Sequence, residues 1–242
     1  MKRYLIMSLI GLFIFAGFSR QKYKKGIVII YHLYYQPIEQ DPMPIPGISY
    51  TLYANREASL FVPNTSKEML DRTARLAMIR SGATDSMYVS LQDSILIYKK
   101  SNFGKVYRVT KPWHHINWTV TSVQKNIAGY YCYRAIGLQE ETLIKRDSTG
   151  HTYYPRKTAI IYAWFTPEIP LPFGPAEYYG LPGVVLDAYH TRRHMRFRAE
   201  KIEKDVPVEV IKPKKGTIIT NENYKHMLRR KWSNLLKRHN MK

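Results

Sequence analysis

Apolar and polar residues alternate along most of the chain, and the alternation predicts strands rather than helices. Gly26 to Tyr35 is β-branched and aromatic and ends before Pro37, which reads as a long strand buried on both faces at its start. Asp41 to Gly47 carries Pro42, Pro44 and Pro46; lacking these N–H donors it is expected to be a loop. Ile48, Tyr50 and Leu52 then alternate with Ser49 and Thr51 as a half-buried strand. Further strands are expected over 88–91, 95–98, 106–109, 118–123, 130–137, 142–145, 157–165, 184–190 and 195–202, with a hairpin turn at Asp147 to Gly150.

Two stretches break this period. Thr65-Ser66-Lys67-Glu68 fits a capping box, with Met69, Leu70, Thr73, Leu76 and Ala77 following at helical spacing and Gly82 as a stop. At the other end, after Thr220-Asn221, the residues Tyr224, Met227, Leu228, Trp232, Leu235 and Leu236 recur at three- and four-residue intervals among lysines and arginines. That is a basic amphipathic helix. Its apolar stripe either docks on the domain or, through Tyr224, Leu228, Trp232 and Leu235, meets a membrane or a partner. The fold class is therefore mainly β: a curved antiparallel sheet, open barrel or sandwich with one or two short helices and this C-terminal helix. Strands never alternate with long helices, which argues against a doubly wound nucleotide-binding fold.

The first residues change the compartment. Lys2 and Arg3 precede an apolar run from Tyr4 to Phe18 and then Ser19, the order of a secretory signal peptide and shorter than the roughly twenty residues that span a bilayer. The expected organisation is a signal peptide over 1–19, a single β-rich domain over 20–220 and the basic helix over 221–242. A place in the periplasm or at the outer membrane, or secretion, follows as an expectation. With the single cysteine Cys132 no internal disulfide can form, so the core must hold the fold; the 45% apolar content and 20 tyrosines fit that. The formal net charge is +20, which favours acidic partners. Export and the lack of any nucleic-acid-binding motif point to an anionic lipid or an envelope protein rather than to nucleic acid. Oligomeric state is not legible.

Four pieces then occur in a fixed order: Trp118 with Gly129, Tyr130, Cys132 and Arg134; Trp164 with Glu168; Gly174-Pro175; and Gly180-Leu181-Pro182-Gly183 followed by Val184-Val185. Together they resemble the GLPGLI family of exported Bacteroidota proteins, over roughly residues 118 to 190. Val184-Val185, Phe165 and Arg134 depart from the family's usual residues while keeping their character. The resemblance implies compartment and architecture, and no activity.

Physical chemistry gives most of these residues structural work. Pro182-Gly183 suits the centre of a type II turn, with positive φ at Gly183. Glu168, Glu177 and Asp187 are the acids that an envelope hydrolase would pair, but carboxylates that satisfy loop amides are the commoner case. Cys132 reads as a small buried apolar residue. His190 and His194 flank a hairpin turn that does not fix zinc geometry, and no metal or cofactor is assigned. The leading expectation is non-catalytic binding of an apolar ligand or an envelope protein partner; the alternatives are the hydrolase and a structural or assembly factor.

Overall fold

The computed structural model describes residues 24–113, 116–143 and 145–239. The side chains of Lys67, Arg146, Thr152 and 232–239 stand outside that description, as do the expected signal peptide and the His114-His115 pair. In chain order come β1 (Lys24–Tyr35), β2 (Met43–Ala54), β3 (Ala58–Pro63), α1 (Arg72–Ser81), β4 (Ser86–Ser90), β5 (Ile95–Asn102), β6 (Lys105–Pro112), β7 (Asn117–Ile127), β8 (Tyr130–Thr142), β9 (Lys145–Arg146), β10 (Thr152–Tyr153), β11 (Arg156–Thr166), β12 (Val184–His190), β13 (Met195–Val208), β14 (Thr217–Thr220) and α2 (Asn221–His239). The protein is mainly β, as its sequence pattern predicts.

One twelve-stranded sheet runs in the order β14-β6-β5-β4-β3-β2-β1-β13-β12-β11-β8-β7. Two antiparallel meanders, β1 to β6 and β7 to β13, are joined where β1 pairs with β13. The exception to the antiparallel expectation is β14, which lies parallel to β6. Among the described residues no helix is long and apolar enough to cross a membrane.

Side-chain size decides which face of the sheet is filled. Across β8, β11, β12, β13 and β1 one register row reads Ala135, Ala163, Ala188, Phe197, Leu33, all fully buried. Three methyl groups in line leave depth above the sheet, and the Pro-rich connection 167–183 packs there, with Tyr178 6.2 Å from Phe197 between ring centroids. Ile169, Phe173, Tyr178 and Leu181 from this connection join Ile29, Leu33, Tyr50 and Phe61 in one core cluster. The inner face is thus closed by a segment of the chain itself.

Several expectations need correction. From Ile27 onward β1 alternates buried Ile27, Ile29, Tyr31 and Leu33 with half-buried Val28, Ile30, His32 and Tyr34, so it is not buried on both faces. Residues 43–47 belong to β2 rather than to a loop. β3 pairs with β2 only from Tyr50 to Ala54, so the start of β2 has β1 alone beside it, and prolines are tolerated on such an edge. Helix α1 starts at Asp71, whose carboxylate accepts the Ala74 N–H at 2.8 Å, while Thr65 donates to the Gly47 carbonyl instead. The shifted start buries Ala74 and Met78 and leaves Met69 and Leu76 exposed. Gly82 does end the helix, in left-handed conformation.

In α2, Tyr224 is buried with its ring edge-on to Tyr107 at 5.5 Å and its hydroxyl bonded by Asn102; Met227 and Leu228 pack on the core. Its first turns therefore dock on β6, whereas Trp232 and Leu235 fall outside the described side chains. Truncation before Asn221 is expected to lower the melting temperature, because an aromatic ring is withdrawn from the core at a cost of about 3 kcal/mol. An unchanged melt would mean that the docking contributes nothing.

Candidate functional site

The 167–183 connection places the family motif. Around Pro170, Pro172 and Pro182 the chain closes three tight i to i+2 hydrogen bonds, Leu171 N–H to Ile169 O, Phe173 N–H to Leu171 O and Gly183 N–H to Leu181 O, each 2.8 Å. The fixed φ of proline suits the centre of such three-residue turns. Gly183 does not have positive φ, so the expected type II turn is absent; the left-handed residue of the motif is Gly180, at φ 91°. What requires glycine at 183 is proximity: a β-carbon there would lie 2.1 Å from the Thr166 carbonyl oxygen. Gly174 is pressed in the same way against the Tyr178 carbonyl, and Pro175 accepts the Tyr178 N–H at 3.1 Å. Leu181 is buried beside them. Gly129, with Ala128, supplies the two positive-φ residues of the β7–β8 hairpin, and Tyr130 follows it with the Lys204 ammonium 5.0 Å from its ring centroid.

The expected acids are all engaged. Glu168 accepts the backbone N–H of Tyr131 at 2.9 Å. Glu177 takes the hydroxyl of Tyr98 and lies 3.3 Å from the Lys111 ammonium, which draws its carboxyl below the usual range against the opposing effect of burial. Asp187 is fully buried and bonded by three cations: Arg196 Nε at 2.7 Å, Arg198 Nε at 3.1 Å and Lys125 Nζ at 3.4 Å.

Cys132 is buried, and burial pushes its thiol up to about 12. A thiol held protonated at neutral pH is a poor nucleophile. Folded protein is therefore expected to resist thiol reagents at pH 8 and to react only once denatured; rapid labelling of the native state, with melting unchanged, would contradict this.

Asp187 lies on the outward face, opposite the alanine row. Two register rows cross four strands there: Trp164, Asp187, Arg198, His32, and beside them Tyr162, Tyr189, Arg196, Tyr34. Arg134 on β8 extends the first row next to Trp164. The rows are tied by rings as well as by charge. Lys125 Nζ lies 4.1 Å from the Trp164 centroid, Arg198 5.5 Å from Tyr34 and Arg196 5.9 Å from Tyr189, which itself stacks on Tyr162. Sequence reading singled out Trp164 and Asp187 but missed Lys125, Arg196 and Arg198. Arg196 and Arg198 had a signal in their two-residue spacing along β13, which carries meaning only once register is known, whereas Lys125 comes from β7 and had none beyond its charge.

A second polar network joins β8 to the β12–β13 turn and to the end of α1. Arg193 bonds Glu141 Oε1 through Nε at 2.9 Å and Nη2 at 2.6 Å, and its Nη1 donates to the Ser81 carbonyl. Buried His190 accepts the Arg193 N–H at Nδ1 and stands with Nε2 3.2 Å from Glu141. His190 and then Arg193 hold the Glu141 carboxyl down to about 2, against partial burial. A folded value below the ordinary 4.5 means that this network adds stability in full above about pH 4.5 and loses it as pH falls toward 2. Glu141→Gln is expected to destabilise at pH 7, with the gap to the parent shrinking as pH falls from about 4.5 toward 2 in urea melts; a gap that keeps its full size in acid would count against the assignment.

Residues 118–187 match the model of a family described as "Protein of unknown function (Porph_ging)"; this segment is similar to a Bacteroidota-associated family. No curated protein matches the chain. Among solved structures it is similar to PNGF-II in two crystal forms, each with a TM-score of 0.55 at 13% identity and covering 84% of this chain. The matched part is 33% and 32% of those chains, so this protein spans about a third of the length of the PNGF-II chain. At that identity the likeness concerns fold alone.

Proposed function

We propose that this is an exported cell-envelope protein of the GLPGLI kind that acts by non-catalytic binding of an envelope partner, through the outward face of β11, β12, β13 and β1. The observation that carries the reading is the state of Asp187. This acid is fully buried with both carboxylate oxygens taken by Arg196, Arg198 and Lys125, which leaves no oxygen open to a substrate, while Arg198 and Lys125 are each about one-third exposed on the same face. Glu168 and Glu177, held by an amide and by Tyr98 and Lys111, support the same conclusion. The inner face is occupied by residues 167–183, which turns the binding role outward rather than toward an apolar ligand. A groove of about 740 Å³ beside β1 is lined by both signs of charge, including Lys24, Arg56, Glu57, Glu168 and Lys204, and is ill suited to an apolar guest.

The test uses the purified protein on beads with solubilised envelope extract, alongside hydrolysis assays on envelope polymer and peptide. A component retained in stoichiometric amount and released by salt, with no turnover, is expected. Turnover that disappears in Glu168→Gln or Glu177→Gln would replace this reading with the hydrolase.

A further inference from the structure

The outward rows hold more positive charge than they neutralise. Lys125, Arg196 and Arg198 bond Asp187, and Arg134 lies in the same register row beyond Trp164; the other acid, Glu200 on β13, is itself taken by the Tyr34 hydroxyl at 2.9 Å and approached by His32 at 3.3 Å. Counting this lysine, these arginines and these carboxylates alone, the surplus is two positive charges. Asp187 occupies both arginines through Nε alone. One terminal nitrogen of Arg196 goes to Gln36, whereas the terminal fork of Arg198 has no bonded acceptor among the described residues. Arg198 and Lys125 are each about one-third exposed and share the same Asp187 oxygen, so fork and ammonium open side by side to solvent. The Nε of Arg134, next in the row, is buried without an acceptor, a state that costs free energy until an acceptor arrives. Burial lowers the Lys125 ammonium below its usual range despite Asp187, as expected of a cation whose neighbours, Arg196 and Arg198, are of like sign.

We infer that this cluster is an oxyanion site for a phosphate monoester, with Arg198 as a bidentate fork, Lys125 as a point charge, and Arg196 and Arg134 completing the field. A guanidinium fork matches two oxygens of one phosphate, and an ammonium beside it binds the third. A phosphomonoester carries close to two negative charges at neutral pH, which equals the surplus; a sulfate ester or phosphodiester carries one and leaves a cation uncompensated. Trp164 and Tyr34, already beneath Lys125 and Arg198, wall the site and hold both cations in place. A lipid headgroup and a soluble phosphorylated sugar share this chemistry.

Calorimetry with phenyl phosphate and phenyl sulfate tests the site on the purified protein. Phenyl phosphate is expected to bind once per chain, about tenfold tighter than the sulfate, in line with one extra charge-assisted contact. Lys125→Gln, which leaves Asp187 both arginines, should weaken phosphate binding about tenfold without altering the melt. Arg198→Lys should weaken it through loss of the fork, and the remote pair Lys214→Gln/Lys215→Gln should leave it unchanged. Equal binding of the two esters, no effect of Lys125→Gln, or an equal loss in the remote pair would overturn the site. Vesicles with phosphatidic acid or phosphatidylglycerol at equal fraction identify the source: preference for phosphatidic acid upholds a lipid monoester, and phenyl phosphate binding with no vesicle preference upholds a soluble one. The inference rests on the binding reading, yet the two fail separately. Partner capture that persists where phosphate binding is missing removes the site alone, and phosphate binding in a protein that turns over envelope polymer removes the non-catalytic reading alone.

Discussion

Asp187→Ala is expected to destabilise the protein by about 3 kcal/mol, toward the lower end of the range for breaking a buried ion pair from one side. The carboxylate is wholly buried, and its loss leaves Arg196 and Arg198 of β13 and Lys125 of β7 repelling one another around an empty site. Arg196 is only 11% exposed and bears most of the penalty; Arg198 and Lys125 can turn partly into water, which keeps the loss from the upper end. Asp187→Asn retains the shape and one acceptor and should cost less. Urea melts of the two variants at neutral pH and low salt decide it: the alanine variant should fall well below the asparagine variant, and added salt should recover part of the difference because the residual repulsion is screened. An alanine variant as stable as the parent would mean that the cations are already solvated and that Asp187 is not their anchor.

What could be read from the sequence follows from how local each signal is. The strand at Val184 to His190 appears with its predicted bounds because a run of apolar residues between Gly183 and a turn admits one reading. The inner face of β1 was hidden instead, because Val28 and Ile30 are as apolar as Ile27 and Ile29, and only the folded sheet separates the buried set from the half-buried one. The start of β2 was hidden because prolines argue against a strand only when both sides must bond, and which strands are edges is a property of the sheet. Asp71 was overlooked as helix cap because Thr65-Ser66-Lys67-Glu68 satisfied the capping pattern first, and only the position of Gly47, far away in sequence, gives Thr65 another partner. β14 is four residues whose place depends on a parallel neighbour more than a hundred residues earlier. The candidate site shows the same limit more sharply. Trp164 and Asp187 were visible as residue types, but the row that joins them to Arg198 and His32 exists through strand register.

The motif that carried the family resemblance yields the second large effect. Gly183→Ala is expected to cost about 3 kcal/mol, the upper end for overpacking a tight site. The reason is contact with backbone, since the new methyl would lie 2.1 Å from the Thr166 oxygen, 2.6 Å from its carbonyl carbon and 2.9 Å from Pro167 N. None of these atoms can move without disturbing the end of β11 or the first turn of the 167–183 connection. Val184, the next residue, donates to the Ile169 carbonyl at 3.0 Å and Val185 to the Phe173 carbonyl at 2.9 Å, so a shift at 183 would also loosen the bonds that seat the connection in the core. Gly180→Ala meets a different obstacle, a left-handed backbone at φ 91°, and should cost about 1 to 2 kcal/mol. The order of the two variants therefore separates close approach from turn conformation. If Gly183→Ala melts well below Gly180→Ala, the glycine is there to let two backbones touch; if Gly180→Ala is the worse and Gly183→Ala is mild, the connection does not lie against Thr166 and the filled inner face has to be abandoned with it.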